Sequence, residues 1–201
     1  MFPEKDEVVP RLRFANFNQN WEENTLAKYL EIPQKEQIII SNTEHLLSVK
    51  LNGSGVSQVS QNLSLSLGAT KYFKRLKGQL IYGKQNFHNG SIAIIPDKYD
   101  GFATSADVPS LNIRNIEPLF LLMYITRKVF YSNTLSFTTG TGSKRLHEES
   151  LLCLVIKVPS ISEQKQIILL MKNFDKLIEN NEKILEKITR VKEKLLSIMF
   201  I

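Results

Sequence analysis

Two polar segments of the sequence carry side chains suited to binding DNA. Residues 138–146 (TTGTGSKRL), called the hydroxyl segment, combine hydroxyl groups with two basic residues and two glycines. Residues 82–91 (YGKQNFHNGS), called the amide segment, present amide side chains around a turn. Amides can bind adenine through two hydrogen bonds, Arg and Lys can bind guanine, and ammonium or hydroxyl groups can bind phosphates. The predicted DNA-binding residues are Lys71, Tyr72, Lys74, Lys77, Lys84, Gln85, Asn86, His88, Asn89, Thr139, Thr141, Ser143, Lys144 and Arg145.

The basic residues are clustered rather than spread evenly along the chain. The net charge is +6, and neither residues 71–96, with five basic residues, nor residues 118–147, with four, contain an acid. Acid-free basic stretches are typical of a surface that binds a polyanion. The alternative interpretation is an ordinary solvated surface of mixed charge.

No pattern of residues indicates catalysis or a bound metal or cofactor. The histidines, His45, His88 and His147, lack the spacing of a metal site. The hydroxyl segment lacks the spacing of a phosphate-binding loop, and no dinucleotide fingerprint follows a strand. The single cysteine, Cys153, lies in the apolar run LLCLVI, which predicts a buried position and excludes an internal disulfide. We therefore predict a non-catalytic protein without cofactors.

The beginning of the chain is acidic, and no run of eighteen apolar residues occurs anywhere in it. These features predict a cytoplasmic protein that does not contact a membrane.

The elements that position the two polar segments are expected to form an α+β domain with mostly antiparallel strands over residues 10–158, after a flexible tail over residues 1–9. Asn52-Gly53, between two apolar alternations, predicts a hairpin turn of type I′. Asn89-Gly90 is expected near the turn of a second strand pair. Strands are predicted at residues 37–41 and 45–51, and residues 79–83 and 91–95 are predicted to form the second strand pair.

Helices are predicted at residues 23–30 and at residues 117–132, where Glu117-Pro118 is a typical helix start. A strand over Leu151–Val158 is expected to close the domain.

Residues 159–201 are predicted to form one long helix. Pro159 ends the preceding strand, and Ser160 with Glu163 fits a capping box. Residues 161–199 would span roughly 58 Å, whereas a compact domain of 150 residues is about 30 Å across. A helix of this length predicts a partner helix, and the alternative is a helix that folds back on its own core. The residues of the predicted partner seam alternate three and four positions apart: Ile167, Leu170, Phe174, Leu177, Asn181, Ile184, Ile188, Val191, Leu195 and Ile198.

Asn181 is the only polar residue of this seam and lies close to the midpoint of the helix. Two copies of Asn181 could meet near the two-fold axis of an antiparallel homodimer, where a buried polar residue would define the register. A parallel pair would also accommodate this residue, so the pattern leaves the orientation open.

Both ends of the sequence resemble the specificity (S) subunit of type I restriction-modification systems. The family has three typical patterns, and each has a counterpart here. The first is an opening Pro-x-Leu-Arg-Phe followed by a Trp, and the second is a Pro with Glu-Gln just downstream, before the long helix. The third is a final Lys-x-x-Leu-Leu-aromatic pattern at the end of that helix. The matching residues are Pro10, Leu12, Arg13, Phe14, Trp21, Pro159, Glu163, Gln164, Lys194, Leu195, Leu196 and Phe200.

This resemblance implies a target recognition domain that reads half of a bipartite double-stranded DNA site. It implies a helix that serves as spacer and as docking surface for the methyltransferase (modification) subunits and, through them, the restriction subunit. S-adenosylmethionine and ATP would belong to those subunits. Family members usually carry two domains and two antiparallel helices, so this chain is expected to homodimerise and read an inverted repeat, or to pair with another segment.

Two other functions remain as alternatives at this stage. A coiled-coil protein-interaction module without specific DNA binding would use the same helix, and its DNA affinity would not fall steeply as salt rises. A free-standing enzyme would need a pocket with paired titratable groups, which the sequence does not display.

Overall fold

The computed structural model describes residues 1–4, 7–59, 70–140 and 143–199. The chain divides into two compact units, Met1–Ile161 and Ser162–Ile201. Thr141 of the predicted interface and Phe200 of the C-terminal pattern lie outside the described residues.

The first unit is an α+β domain, as predicted. Its strands are β1 (Glu22–Thr25), β2 (Leu30–Glu31), β3 (Gln37–Ile38), β4 (Leu47–Val49), β5 (Val56–Gln58), β6 (Tyr72–Lys74), β7 (Leu80–Tyr82), β8 (Ile92–Ile94), β9 (Ala103–Ser105), β10 (Ser110–Ile113) and β11 (Val155–Val158). Its helices are α1 (Pro118–Ile125), α2 (Lys128–Tyr131) and α3 (Glu148–Leu152), with 3₁₀ turns at Leu26–Lys28, Phe87–Asn89, Asp97–Tyr99 and Ser132–Phe137.

Every pairing between these described strands is antiparallel. The sheets have the orders β1-β11, β2-β10-β7-β8, β3-β6-β9 and β4-β5. The central strand β7 is buried along its whole length, and its apolar side chains lie in the core together with Phe87 and Phe120. Full burial of a large apolar side chain contributes roughly 1.5–3 kcal/mol, so the amide segment follows a strand that is fixed in the core.

Both predicted hairpins are present. Asn52 and Gly53 have φ of 56° and 66°, and the amide of Ser54 donates to the carbonyl of Leu51 at 3.1 Å, which is the geometry of a type I′ turn between β4 and β5. In the second hairpin, Tyr82 of β7 lies opposite Ile92 of β8.

The chain near residues 23–30 differs from the predicted helix. Residues Glu22–Thr25 form β1, which pairs with β11, and only Leu26–Lys28 form a 3₁₀ turn. The local apolar spacing suggested a helix, but pairing with a strand from the other end of the domain satisfies the same backbone groups. Tertiary pairing therefore overrides the local pattern here.

The predicted strand over Leu151–Val158 is wrong in its first half. Helix α3 continues to Leu152, where the amide of Leu151 donates to the carbonyl of His147 at 2.9 Å, and β11 begins only at Val155. Cys153 lies in the connection and is exposed, not buried as predicted. An apolar run of this length is compatible with either element, so its composition alone did not discriminate between them.

The predicted helix over residues 117–132 begins at Pro118 as expected but is interrupted. Arg127 has an extended backbone (φ −64°, ψ 130°) that separates α1 from α2. Its guanidinium lies 4.0 Å from the ring centroid of Tyr124 and 4.7 Å from that of Phe2. Burial lowers the pKa of Arg127 from its usual value.

The first residues of the chain contact an aromatic cluster. The ring centroid of Phe2 lies 5.5 Å from that of Tyr124, 5.6 Å from that of Phe120 and 6.3 Å from that of Trp21. The contacts of Phe2 with Tyr124 and Trp21 are edge-to-face, and the contact with Phe120 is tilted. Edge-to-face contacts contribute about 0.5–1.5 kcal/mol each beyond the buried area.

The long helix α4 (Ile161–Met199) begins directly after Ser160. Ile167, the first seam residue, is buried, and the seam side chains from Phe174 onward are exposed. Lys183 with Glu179 and Arg190 with Glu186 form ion pairs along its surface. Among the residues described, no helix combines the length and hydropathy needed to cross a bilayer.

Candidate nucleic-acid interface

The structure brings the amide and hydroxyl segments together at the backbone of Lys84. The amide of Leu146 donates to the carbonyl of Lys84 at 2.9 Å, and the amide of Lys84 donates to the carbonyl of Asp107, also at 2.9 Å. Three segments that are far apart in sequence therefore meet at one residue. Because the bonds are between main-chain groups, the junction holds the segments in place whatever their exposed side chains are.

Thr139 and Arg145, near the two ends of the hydroxyl segment, are paired through their backbones. The amide of Thr139 donates to the carbonyl of Arg145 at 3.0 Å, and the amide of Arg145 donates back to the carbonyl of Thr139 at 2.9 Å. Gly140 has φ of 112°, and a Cβ there would lie 2.6 Å from the carbonyl oxygen of Ser143. Glycine is therefore required for closure. Thr139, Ser143 and Lys144 are exposed on this loop.

The amide segment is anchored by a buried aromatic side chain. Phe87 lies in the core, where its ring meets the ring of Tyr82 edge-to-face at 5.4 Å. The tip of the β4–β5 hairpin supports the far end of the segment, since the amides of Asn52 and Gly53 donate to the carbonyls of Asn89 and Gly90 at 2.9 and 2.7 Å. The turn is thus held from both sides.

The polar side chains of the amide segment differ in exposure. Asn86 and Asn89 are exposed, and the Nδ2 of Asn89 donates to the Oδ1 of Asn86 at 3.2 Å. Gln85 and His88 are half-buried. The Nδ1 of His88 is buried and has no hydrogen-bond partner among the described residues. The two asparagines and Gln85 are therefore the side chains best placed to meet a ligand.

Lys84 and Tyr72 are corrections to the predicted interface. The ammonium of Lys84 lies 2.8 Å from the carboxylate of Glu148, and the two side chains are only 11% and 6% exposed. Lys35 approaches the other carboxylate oxygen of Glu148 at 3.3 Å. Tyr72 is buried in β6. Lys84 is thus held in a buried ion pair and Tyr72 lies in the core, so neither is the exposed contact that was predicted.

Burial by itself raises the pKa of Glu148, but the hydrogen bond from Lys84 and the charges of Lys84 and Lys35 outweigh it and hold the pKa below its usual value. The carboxylate therefore stays ionised at neutral pH and continues to bind Lys84. This ion pair attaches α3, which directly follows the hydroxyl segment, to the amide segment.

Three other predicted lysines lie in β6 or beyond its ends rather than at one place. Lys71 is exposed beside the first residue of β6, which pairs with Ser105 near the Asp107 turn. Lys74 lies 3.4 Å from Glu36. Lys77 lies beyond the opposite end of the strand, 3.9 Å from Asp97. Lys71 thus lies at the end of β6 whose partner residue, Ser105, precedes the turn with Asp107.

Two acids of the site were missed at the level of sequence. Asp107 accepts a hydrogen bond from the Nε of Arg145 at 3.1 Å and so orients that guanidinium, which is half-buried. Glu148 binds Lys84. Neither acid is close in sequence to its partner, so no local signal could have identified the pairs.

A family model described as the type I restriction modification DNA specificity domain matches residues 18–190. No curated protein matches the chain.

Solved structures with a similar fold include two S subunits. The HsdS subunit from Thermoanaerobacter tengcongensis is 15% identical, with a TM-score of 0.61 over 87% of this chain and 47% of that chain. The S subunit of a type I restriction-modification system from M. genitalium is 16% identical, with a TM-score of 0.55 over 85% of this chain and 43% of that chain. The chain therefore spans about half the length of the solved chains that it matches. At these identities the likeness establishes the fold.

Proposed function

The chain belongs to the type I restriction-modification DNA specificity domain family, and on that premise we propose that it is the non-catalytic DNA-recognition subunit of a type I complex. Residues 10–158 form the target recognition domain, which reads one half of a bipartite duplex site. Residues 159–201 form a spacer helix that docks the modification subunits and, through them, the restriction subunit. Those subunits bind S-adenosylmethionine and ATP.

The observation that carries this proposal is the junction at Lys84. It holds an amide-rich turn beside a hydroxyl-rich loop, and the exposed groups of the two segments are amides, hydroxyls and the ammonium of Lys144. Amides and cations pair with base edges, while hydroxyls and backbone amides bind phosphates. A rigid backbone with exposed polar side chains suits a domain that must keep its shape while its sequence preference is set by those side chains.

The exposed seam of α4 supports pairing with a second copy of the chain. Phe174, Leu177, Ile184 and the following seam residues are exposed on a helix of roughly 58 Å, more apolar surface than a solvated helix carries. A second copy offers a seam of the same length and character. In the heptad, Phe174 is at position a and Leu177 at position d.

The residues that flank the seam favour an antiparallel pair. In a parallel pair, positions g and e of the two helices meet, and Lys187 would face Lys192 of the second copy on both sides. In an antiparallel pair centred near residue 180, like positions meet, so that Lys187 faces Asn173 and Ile178 faces its own copy. The antiparallel pair therefore avoids repulsion between lysines and covers the apolar side chain of Ile178 beside the seam.

A homodimer of this kind has two-fold symmetry, so its two recognition domains read the two halves of an inverted repeat. The spacer helices set the separation of the half-sites. The gap in the recognised sequence is therefore constant.

Selection of bound sequences from a random duplex library at moderate salt tests this function. The chain is used alone and together with the modification subunits, and an inverted bipartite motif with a constant gap is expected. Gln85→Ala is expected to change the preferred bases. Lys144→Ala, if that residue binds phosphate, should weaken binding to all sequences alike and reduce the slope of log affinity against log salt by about one.

Lys183→Ala, on the exposed surface of α4, is the matched control and should leave the motif unchanged. Absence of enrichment both with and without the modification subunits would show that the proposal is wrong and that α4 belongs to a protein-interaction module. A motif without a second half-site would reject the homodimer alone.

A further inference from the structure

Two exposed apolar side chains stand beside the hydroxyl segment. Phe137 is 48% exposed and Leu135 is 40% exposed, both in the 3₁₀ turn Ser132–Phe137 that leads directly into that segment. Because half of the Phe137 ring is open to solvent, a ligand at the hydroxyl segment could cover it, and burial of apolar surface would stabilise the complex.

The turn that carries Phe137 is firmly held. The buried hydroxyl of Thr134 donates to the carbonyl of Tyr131 at 2.7 Å, and the hydroxyl of Thr138 donates to the carbonyl of Leu135 at 2.6 Å. The turn also packs against the 3₁₀ turn Phe87–Asn89 of the amide segment. Phe137 thus lies on a fixed element that contacts both polar segments.

The charge around Phe137 indicates the chemical class of its partner. Residues 118–147 contain four basic residues and no acid, and Lys128 and Lys144 are exposed in this stretch. A ligand that suits both the cations and the aromatic ring must combine negative charge with apolar groups. DNA does so, with phosphates on its backbone and thymine methyl groups in its major groove.

We propose that Phe137 contacts the 5-methyl group of a thymine within the half-site, and this proposal rests on the proposed function. An A·T pair displays the hydrogen-bonding edge of adenine and the methyl group of thymine side by side in the major groove. Gln85 or Asn86 binds the adenine edge, and the Phe137 ring covers the methyl group of the same or the adjacent pair. Amide and aromatic side chain together distinguish A·T from the other pairs.

The test replaces each thymine of the selected site by deoxyuridine, one at a time, which removes only the methyl group. At one position the wild-type chain is expected to bind about 4-fold more weakly, as burial of one methyl group implies. Phe137→Ala is expected to bind the thymine and uracil duplexes equally. Val155→Ala, at an exposed apolar residue outside the acid-free stretch, is the matched control and should keep the 4-fold preference.

The outcomes separate this inference from the proposed function. If the wild-type chain selects a motif but binds every uracil duplex as tightly as the parent, the methyl contact is refuted and DNA recognition stands. If no motif is selected under any condition, DNA recognition itself fails. If Phe137→Ala keeps the uracil preference but loses the modification subunits, Phe137 is a protein contact and the inference is wrong.

A change of fold would be visible in the fluorescence of Trp21, the only tryptophan. If Phe137→Ala alters that fluorescence, Phe137→Leu takes its place, and it should retain part of the methyl preference.

Discussion

The ion pair between Lys84 and Glu148 gives the sharpest prediction about stability. Lys84→Met removes the charge of the lysine while keeping most of its volume, and Glu148→Gln removes the charge of its partner. Each change leaves the opposite charge in a site where the pair is only 11% and 6% exposed. Breaking a buried pair from one side costs about 3–5 kcal/mol.

For Lys84→Met we expect the lower end of that range, about 3 kcal/mol, because Lys35 still lies 3.3 Å from the carboxylate. Glu148→Gln is expected to cost about as much. The double variant leaves no buried unpaired charge, because the remaining cation, Lys35, is 52% exposed. We therefore expect it to cost about 1 kcal/mol, far less than the sum of the single changes.

Urea unfolding followed by Trp21 fluorescence measures these costs. Trp21 is the only tryptophan and is 3% exposed in the aromatic cluster of the first unit, so its signal reports unfolding of that unit. The control is Lys77→Met, which removes one partner of the exposed Lys77–Asp97 pair in the same unit and is expected to cost no more than about 0.5 kcal/mol.

The contribution of this ion pair to the stability of the fold is expected to depend on pH. The pKa of Glu148 is lowered on folding from its usual value of 4.5, so the carboxylate stabilises the fold above that pH and ceases to do so as pH falls through the lower, folded-state value. The stability gap between wild type and Glu148→Gln should therefore shrink below about pH 4.5. The ion-pair interpretation would be contradicted if the costs of Lys84→Met and Glu148→Gln added up in the double variant. It would also be contradicted if the stability difference between wild type and Glu148→Gln did not change as the pH falls.

Three further changes test other parts of the structure. Gly90→Ala should lower the free energy of unfolding by at least about 1–2 kcal/mol, because Gly90 has φ of 73° and a Cβ there would lie 3.0 Å from the backbone of Asn52. Gly78→Ala is the control in the same urea titration. Gly78 has φ of 77° but open space around it, so this change measures the cost of the positive φ without the steric contact. Phe2→Ala should cost about 2 kcal/mol through its lost ring contacts, seen as a lower thermal midpoint, and an unchanged midpoint would leave the N-terminal residues without a structural role. Asn181→Leu should strengthen the pairing of the helices but make their register or oligomeric state less well defined. An unchanged mass by sedimentation together with an unchanged thermal midpoint would exclude this residue from the seam.

The elements that the sequence predicted well depend on local chemistry. The turn at Asn52-Gly53 was predictable because only residues that tolerate positive φ adopt that geometry, and both do so in the structure. The start of α1 at Pro118 has the same basis.

The candidate site was predictable only as two separate segments. Their composition identified amides, hydroxyls and cations, but nothing local showed that the amide of Leu146 bonds to the carbonyl of Lys84. Nor did composition separate Lys144, which is exposed, from Lys84, which is buried against Glu148. A lysine has the same local signal in water and in an ion pair, because burial is decided by residues far along the chain.

By itself the sequence determined the long helix, the hairpin turn and the family, since a periodic pattern, a demand for positive φ and boundary motifs can be read within a few residues of the chain. The tertiary structure alone decided that β1 is a strand, that α3 interrupts the apolar run before β11, and that Lys84 stabilises the junction. Strand pairing and the desolvation of charge depend on partners brought together by folding, and their energies have no counterpart in any short stretch of sequence.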